Sequence, residues 1–393
     1  MVEWRELWEV TTWDKKFIGV HKHMQPKVIK YHYYLANELS ELEETDGDIR
    51  ILYTTEKVAY TNSEKVKSNI HEGEIVAIPW GGNPSVKYYK GKFITADNRI
   101  ATSNNTELLD NKYLYYWMQS QLDTIASFYR GAGIKHPSML SVLLMPIPIP
   151  SKEEQARIVS ILDTFTDSIT NLDAQIKARR KQYEYYRDQL LDLEGKDGVE
   201  MKILKDLAII MNGKDYKKLS DGNIPVYGTG GIMAYVDTFA YDKPSVLLPR
   251  KGSVEKIYYV TNPFWTVDTI YWTIIKTEII LPKFLYHALC KYDLKDYSYG
   301  GGIPSLSQKI LYGLTIPLPS LQEQSRIVSI LDQFEESIKN LEAQYELRKK
   351  QYEYYRNQLL NFDDAKELAA NTSKSMEQSG VSLYFNKYIL NKK

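Results

Sequence analysis

Apolar residues recur with a period of seven along two stretches of this chain, Gln155–Leu191 and Gln324–Leu360. In the first, one row of positions reads Leu162, Ile169, Ile176, Tyr183, Leu190 and the other Ile158, Phe165, Leu172, Arg179, Tyr186. In the second, the rows read Leu331, Ile338, Tyr345, Tyr352, Leu359 and Ile327, Phe334, Leu341, Arg348, Tyr355. A 4-3 alternation held over about five heptads predicts a coiled-coil seam rather than a helix lying on a globular core. Neither stretch contains Gly or Pro, and both are rich in good helix formers. Arg179 and Arg348 interrupt the seam at the same register, where a charge costs stability but can fix alignment.

The two stretches are copies. At a constant offset of 169 residues, 26 of 37 positions are identical, with no gap. Each opens after a proline-rich, strand-like run, Pro146–Pro150 and Ile316–Pro319, and a serine, Ser151 or Ser320, stands where an N-cap belongs. Glu154 and Glu323 follow three residues later, the spacing of a capping box. Two matching seams in one chain, each following its own globular stretch, predict an antiparallel pair within the chain.

Between the helices the pattern shortens to strands and turns. The aromatic opening Trp4–Phe17 leads to a helix expected over Lys30–Leu42 and a strand over Ile49–Val58. Apolar runs at Glu74–Pro79, Val86–Tyr89 and Phe93–Thr95 predict further strands, with Trp80–Pro84 as a turn. A helix is expected over Lys112–Ser127, then a glycine loop at Arg130–Ile134 and an exit strand over Val142–Pro150. Leu191–Met201 reads as a polar linker. The plan then repeats: Pro244–Pro249 echoes Glu74–Pro79, Phe264–Asp268 echoes Phe93–Asp97, Phe284–Lys291 echoes Tyr113–Gln119, and Gly300–Ile303 echoes Gly131–Ile134. Helices that are near-copies and domains that keep only a skeleton imply a common partner along the helices and a different ligand for each domain.

This organisation predicts an α+β fold. Domains at 1–150 and 197–319 each lead into a helix, 151–196 and 320–362, with a pseudo-two-fold between the halves. A polar tail, 363–393, ends in the apolar run Leu383–Leu390, which would add a short docking element.

Composition narrows the function. Lys+Arg and Asp+Glu are both 50 among 393 residues, so there is no basic excess to argue for nucleic acid. The single Cys290 excludes internal disulfides and cysteine-based zinc sites and fits a reducing cytoplasm. No apolar run approaches the ~18 residues of a membrane span. Tyr (32) far exceeds Phe (10), which suits surfaces that are apolar on one side and wet on the other.

Catalytic motifs are missing. There is no Pro-Pro pair for an adenine-methyltransferase signature, and Asn262-Pro263-Phe264-Trp265 reads as a turn into a strand. Gly228-Thr229-Gly230-Gly231 lacks the Lys-Ser/Thr of a phosphate-binding loop. Glu200-Met201-Lys202 is a chance match to a nuclease Glu-x-Lys, and His21 with His23 has no carboxylate or Cys cluster for a metal.

Two variable domains, each passing through a proline-rich strand into a near-identical helix, resemble the DNA-specificity subunit of Type I restriction-modification systems. The residues that carry the likeness are Ile316-Pro317-Leu318-Pro319 followed by Glu323-Gln324-Ser325-Arg326-Ile327-Val328, and the matching run Ile147–Val159. The resemblance covers residues 1 to 362. It implies a non-catalytic chain whose two target-recognition domains each read half of a split site on double-stranded DNA. The helices would be a ruler for the gap and would dock two methyltransferase subunits. It also implies that S-adenosylmethionine, ATP and Mg are bound by partners, among them a restriction-translocase subunit, and that this chain holds no cofactor. A coiled-coil scaffold binding proteins through two divergent domains is the alternative reading. A single-chain restriction-enzyme fragment would need the catalytic motifs that are missing.

Under that resemblance, the residues expected at DNA are Asn83, Lys87, Tyr88 and Lys90, with Arg130 and Lys135, in the first domain. In the second they are Tyr227, Thr229, Arg250, Lys251 and Lys256, with Tyr299–Gly302 nearby. Lys87 and Arg250 are matched as residues following corresponding strands. A solvated surface charge is the alternative for each basic residue. Arg179–Lys181 and Arg348–Lys350 are read as a solvated helix face or as contacts to the DNA spacer or to partners. A helix of 37 residues is roughly 55 Å long. Since the domains cover their own half-sites, the unread gap is expected to be on the order of 5–8 base pairs of B-DNA.

Overall fold

The long helices form as the period predicts: Lys152–Leu190 and Leu321–Leu359, 39 residues each. They belong to a computed structural model that describes residues 2–300 and 302–362. The tail 363–393, with Leu383–Leu390, lies outside the described residues. Each helix starts under its serine: the Glu154 amide donates to Ser151 Oγ and the Glu323 amide to Ser320 Oγ, both at 3.3 Å. The capping boxes are only half made. The Glu154 carboxylate accepts from Arg157 at 2.7 and 2.6 Å, and Glu323 from Arg326 at 2.8 and 2.7 Å. Two charge-assisted bonds to a guanidinium outweigh one to a backbone amide.

The described residues divide into two units. One runs to Thr170 and resumes at Glu346; the other is Asn171–Tyr345. In the first unit Phe165 stacks on Tyr355, with ring centroids 5.2 Å apart, and Arg348 sits 5.6 Å from the Phe165 ring. In the second unit Tyr186 stacks on Phe334 at 5.2 Å, Arg179 lies 5.9 Å from that ring, and Arg180 pairs with Glu342. In each unit the early part of one helix therefore runs along the late part of the other, which is the antiparallel pairing expected. The seam arginines are half-exposed cations over phenylalanine faces, so no buried charge has to be offset.

The seam is not uniform. Ile158 and Leu162 are fully buried in the core of the first unit, and Ile327 and Leu331 in that of the second, where they pack on the domains. Leu172 and Ile176 are buried, and Ile169, Ile338 and Leu341 are half-buried. Tyr183 and Tyr352 pack against the domain cores, while Tyr186 and Tyr355 keep nearly half their surface exposed.

The first unit carries a six-stranded sheet in the order Thr11–Trp13, Asn98–Ser103, His71–Pro79, Lys87–Thr95, Ile49–Leu52, Val58–Thr61. The second carries Ala208–Asn212, Ile270–Ile275, Ser245–Pro249, Tyr258–Val260 in one sheet and Trp265–Thr266, Asp221–Gly228, Gly231–Val236 in another. The two orders coincide if Tyr258–Val260 and Trp265–Thr266 are halves of one strand. That strand is interrupted around Asn262-Pro263, where a proline cannot donate to the ladder. The parallel pairs agree: Ile51 faces Ile94 as Val226 faces Trp265.

Several expected elements are shorter or split. The Lys30–Leu42 helix is only Ala36–Glu41, and Ile49–Val58 is a strand to Leu52 that turns back at Val58. Lys112–Ser127 breaks at Gln121 into Asn111–Ser120 and Leu122–Ser127. The exit strand is Pro146–Ile149, and Met139–Leu143 before it is a helix capped by Ser138. The polar linker is anchored by Leu191 and Leu193, both buried in the second unit.

One side chain ties each domain to its helix. Gln155, fully buried, accepts from the Asp110 amide at 2.8 Å and donates to the carbonyls of Leu108 and Pro150. Gln324, also fully buried, makes the same three bonds, to the Leu281 amide and to the carbonyls of Ile279 and Pro319.

Candidate nucleic-acid interface

In each unit two loops far apart in sequence close into one fork. In the first, the Gly82 amide donates to the Lys135 carbonyl at 3.2 Å, and Arg130 pairs with His136 as a short two-strand bridge. The Trp80 carbonyl meets His136 Nδ1 at 2.8 Å, and the two rings lie 4.9 Å apart. In the second, the Gly252 amide donates to the Pro304 carbonyl at 3.0 Å, Tyr299 bridges Ser305, and Lys251 bridges Ser305. The backbones match. Gly82 and Gly252 have φ of 96° and 88°, and Gly131 and Gly300 have φ of 145° and 109°. A Cβ at Gly131 would come within 2.8 Å of the Ile134 carbonyl oxygen, and one at Gly300 within 2.9 Å of that of Ile303. Glycine is required at both places.

Apart from the glycines and the pair Ile134 and Ile303, the side chains on the two forks differ. Trp80 stands where Arg250 stands, Gly81 where Lys251 does, Arg130 where Tyr299 does, and His136 where Ser305 does. The equivalence follows from the strands below, since Pro79 pairs with Asn98 as Pro249 pairs with Ile270. The counterpart of Arg250 is therefore Trp80 and not Lys87, which correction the strand registers impose. Lys87 corresponds to Tyr258: Lys87 faces Ala77, and Tyr258 faces Leu247.

The second fork gains a third segment. Thr229 and Gly230 form the turn between Asp221–Gly228 and Gly231–Val236. The Thr229 carbonyl accepts from Tyr258 at 3.0 Å, and its Oγ1 lies 3.5 Å from where a Cβ on Gly252 would stand. Thr229, Arg250 and Lys251 thus share one surface, with Tyr227 half-buried behind, its ring 6.0 Å from Tyr258. Lys256 is exposed farther along the loop.

In the first domain Asn83, Arg130 and Lys135 are exposed on the fork. Lys90 is exposed on the strand and pairs with Glu74 at 3.3 Å. Lys87 and Tyr88 turn into the protein. The Lys87 ammonium donates to the Tyr53 carbonyl, and burial pushes its pKa down to about 8. It lines a cavity of about 270 Å³ with Arg50, Tyr60 and Tyr115. Tyr88 donates to Glu74 at 2.6 Å and packs on Tyr115, with Lys112 over its ring. Tyr259, Tyr286 and Lys283 repeat that cluster in the second domain.

The cluster leads to a latch on each helix. Lys112 pairs with Asp163 at 2.8 Å, and the Tyr116 hydroxyl donates to the same carboxylate at 2.6 Å. In the second unit Lys283 pairs with Glu335 at 2.6 Å, and buried His287 takes the place of Tyr116. Its Nε2 faces Asp332 at 3.3 Å and its Nδ1 faces the Tyr183 hydroxyl at 3.0 Å. Burial pulls the His287 pKa down, against the pull of Glu335 and Asp332. His287, Asp332 and Glu335 could geometrically hold a metal ion. The Lys283 ammonium, 2.6 Å from Glu335 and 3.6 Å from Asp332, already supplies the positive charge there.

Sequence reasoning places the stretches Trp80–Lys90 and Arg130–His136 at DNA without singling out Trp80 or His136, and it misses Arg99. The echo of Gly131 in Gly300 pointed to the fork but not to which loop closes on it. No helix among the described residues is long and apolar enough to cross a membrane.

Comparisons with known proteins agree with this architecture. The model of the Type I restriction modification DNA specificity domain matches residues 3–179 and again 196–348. A putative type I restriction enzyme specificity subunit of Haemophilus influenzae is 31% identical over 338 residues, covering 76% of this chain and 85% of the relative. The EcoR124I/EcoR124II specificity subunit of Escherichia coli is 31% identical over 405 residues, covering 92% and 94%. The crystal structure of a Type I restriction-modification S subunit from M. genitalium shares the fold, with a TM-score of 0.65 at 20% identity, over 92% of this chain and 96% of that one.

Proposed function

The chain belongs to the Type I restriction-modification DNA specificity family, and from that premise we propose that its two domains read two different halves of a split, asymmetric site on double-stranded DNA. The observation that carries this is the fork: one backbone built twice, with different side chains at most matched positions. Base readout depends on the donors and acceptors that side chains present, so two such forks select different bases. Exposed Asn83, Arg130 and Lys135 in one domain, and Thr229, Arg250, Lys251 and Lys256 in the other, supply base and phosphate contacts.

The chain itself is non-catalytic in this reading. The near-identical helices dock two methyltransferase subunits that bring S-adenosylmethionine and methylate adenine. A restriction-translocase subunit brings ATP and Mg. The absence of methyltransferase and nucleotide-binding motifs from the sequence supports this division of labour.

Methylome sequencing of cells carrying the chain with its methyltransferase tests the reading. The expected result is one bipartite motif with two unlike halves. A perfect palindrome, or no chain-dependent methylation, would refute it.

A further inference from the structure

At the foot of each fork a cation faces an aromatic ring, and the two domains hold that pair in opposite order. In the first, the cation is Arg99, on the strand, and the ring is Trp80, on the fork, 4.7 Å from the guanidinium. In the second, the strand registers put Tyr271 in the place of Arg99 and Arg250 in that of Trp80, with the Arg250 guanidinium 5.8 Å from the Tyr271 ring.

The exchange changes what the cation can reach. Arg99 is 1% exposed, bonded to Asp14 at 2.7 Å and to Asp97. Two carboxylates answer its charge, and no ligand can reach it. Arg250 is half-exposed and forms no ion pair among the described residues. Its Nη1 donates to the Asp268 carbonyl at 3.0 Å, which leaves most of its five donors unused.

We propose that Arg250 reads a guanine in the half-site of the second domain; this rests on the reading that the chain recognises DNA. A guanidinium presents a planar fork that matches O6 and N7 of guanine in the major groove. Here the plane is held beforehand by a carbonyl on one side and a ring beneath. Less side-chain freedom is then lost on binding. The exposed ammoniums of Lys251 and Lys256 are flexible point charges and suit phosphates. In the first domain the equivalent position is Trp80, so no guanidinium stands at that place on the first fork.

The test uses the chain assembled with its methyltransferase, comparing wild type with Arg250→Lys and Arg250→Gln by methylome sequencing and by competition among duplexes varied at single positions. Both variants should lose discrimination at one guanine of one half-site, by roughly ten- to a hundredfold. The other half-site should stay unchanged. An even loss of methylation with the motif intact would mark a phosphate or structural role and overturn the proposal. So would a second half-site without guanine, or degradation of both half-sites together. If the wild-type complex yields no split motif, the DNA reading itself fails, which is a separate result.

Discussion

Gln155 and Gln324 show what a repeated residue does. Each sits fully buried at the start of a helix and satisfies one amide and two carbonyls of its domain. Replacing either by Ala strands those groups out of reach of water, at a cost on the order of 1–3 kcal/mol. Hydrogen exchange should then speed up at Asp110 in Gln155→Ala and at Leu281 in Gln324→Ala, each without the other. Unchanged protection at both amides would remove the latch from the account. The latch at position 287 differs in kind from its counterpart Tyr116, because a histidine titrates. Burial lowers the His287 pKa below its ordinary 6.5, so the folded chain favours the neutral ring. Above about 6.5 both states are neutral and stability is flat with respect to this group. Below it the unfolded chain takes up a proton that the folded one resists, and stability falls as pH drops through the folded value. Asp332 and Glu335 limit the effect, and Lys283 adds to it. Thermal unfolding of wild type should fall more between pH 7.5 and 5.5 than that of His287→Tyr, which copies the first domain. Equal slopes would show that His287 does not govern this range.

At the scale of elements, the seam is the testable object. Ile158 and Leu359 lie in one apolar cluster of the first unit, and Leu190 and Ile327 in one cluster of the second. Cysteine pairs at Ile158 with Leu359, or at Leu190 with Ile327, should cross-link within a single chain. A pair at Ile158 and Ile327 should not. Efficient linkage of that last pair would mean parallel helices. The native thiol interferes little, because burial pushes the Cys290 pKa up to about 12, and the thiolate is the reactive form. The helices were legible because their period repeats locally, residue after residue, through 39 positions. The exit run Val142–Pro150 was not. A short apolar run fits a strand and a buried helical turn equally well, and the Ser138 cap decided for the helix over Met139–Leu143.

For the whole molecule, zero net charge bears on affinity, since neutralising phosphates supplies much of duplex binding. The isolated chain should bind DNA weakly and gain affinity when assembled with the methyltransferase subunits proposed above. The ruler reading adds a length test. Four residues inserted after Arg179 lengthen that helix by roughly 6 Å, worth one or two base pairs at about 3.4 Å each. Arg179 lies over Phe334, so the compensating insertion belongs beside Phe334. Placing it at the matching repeat position, Arg348, ignores the antiparallel register. Methylome sequencing of the double insertion should show a longer gap between unchanged half-sites. An unchanged gap with altered bases would mean that the helices do not measure distance.

The sequence by itself determined the two helices, their copying and the seam, while the contacts of Phe165 with Tyr355 and of Tyr186 with Phe334 decided its antiparallel sense. The sequence also determined the duplicated plan of the domains and the absence of catalytic motifs. These are local periods and direct repeats, which need no long-range contact to be seen. Tertiary structure alone decided which loops close on which. Trp80 meets His136, and Gly252 meets Pro304, across about fifty residues of intervening chain. It also decided that Arg250 answers to Trp80 and that Lys87 turns inward, because a strand's register is set by its neighbours and by the face it buries. A cation's availability depends on its neighbours in space. Arg99 and Arg250 are the same residue type at exchanged places of the two cation–ring pairs: Asp14 and Asp97 close off the first, while the second stays on the fork with one bond to a carbonyl.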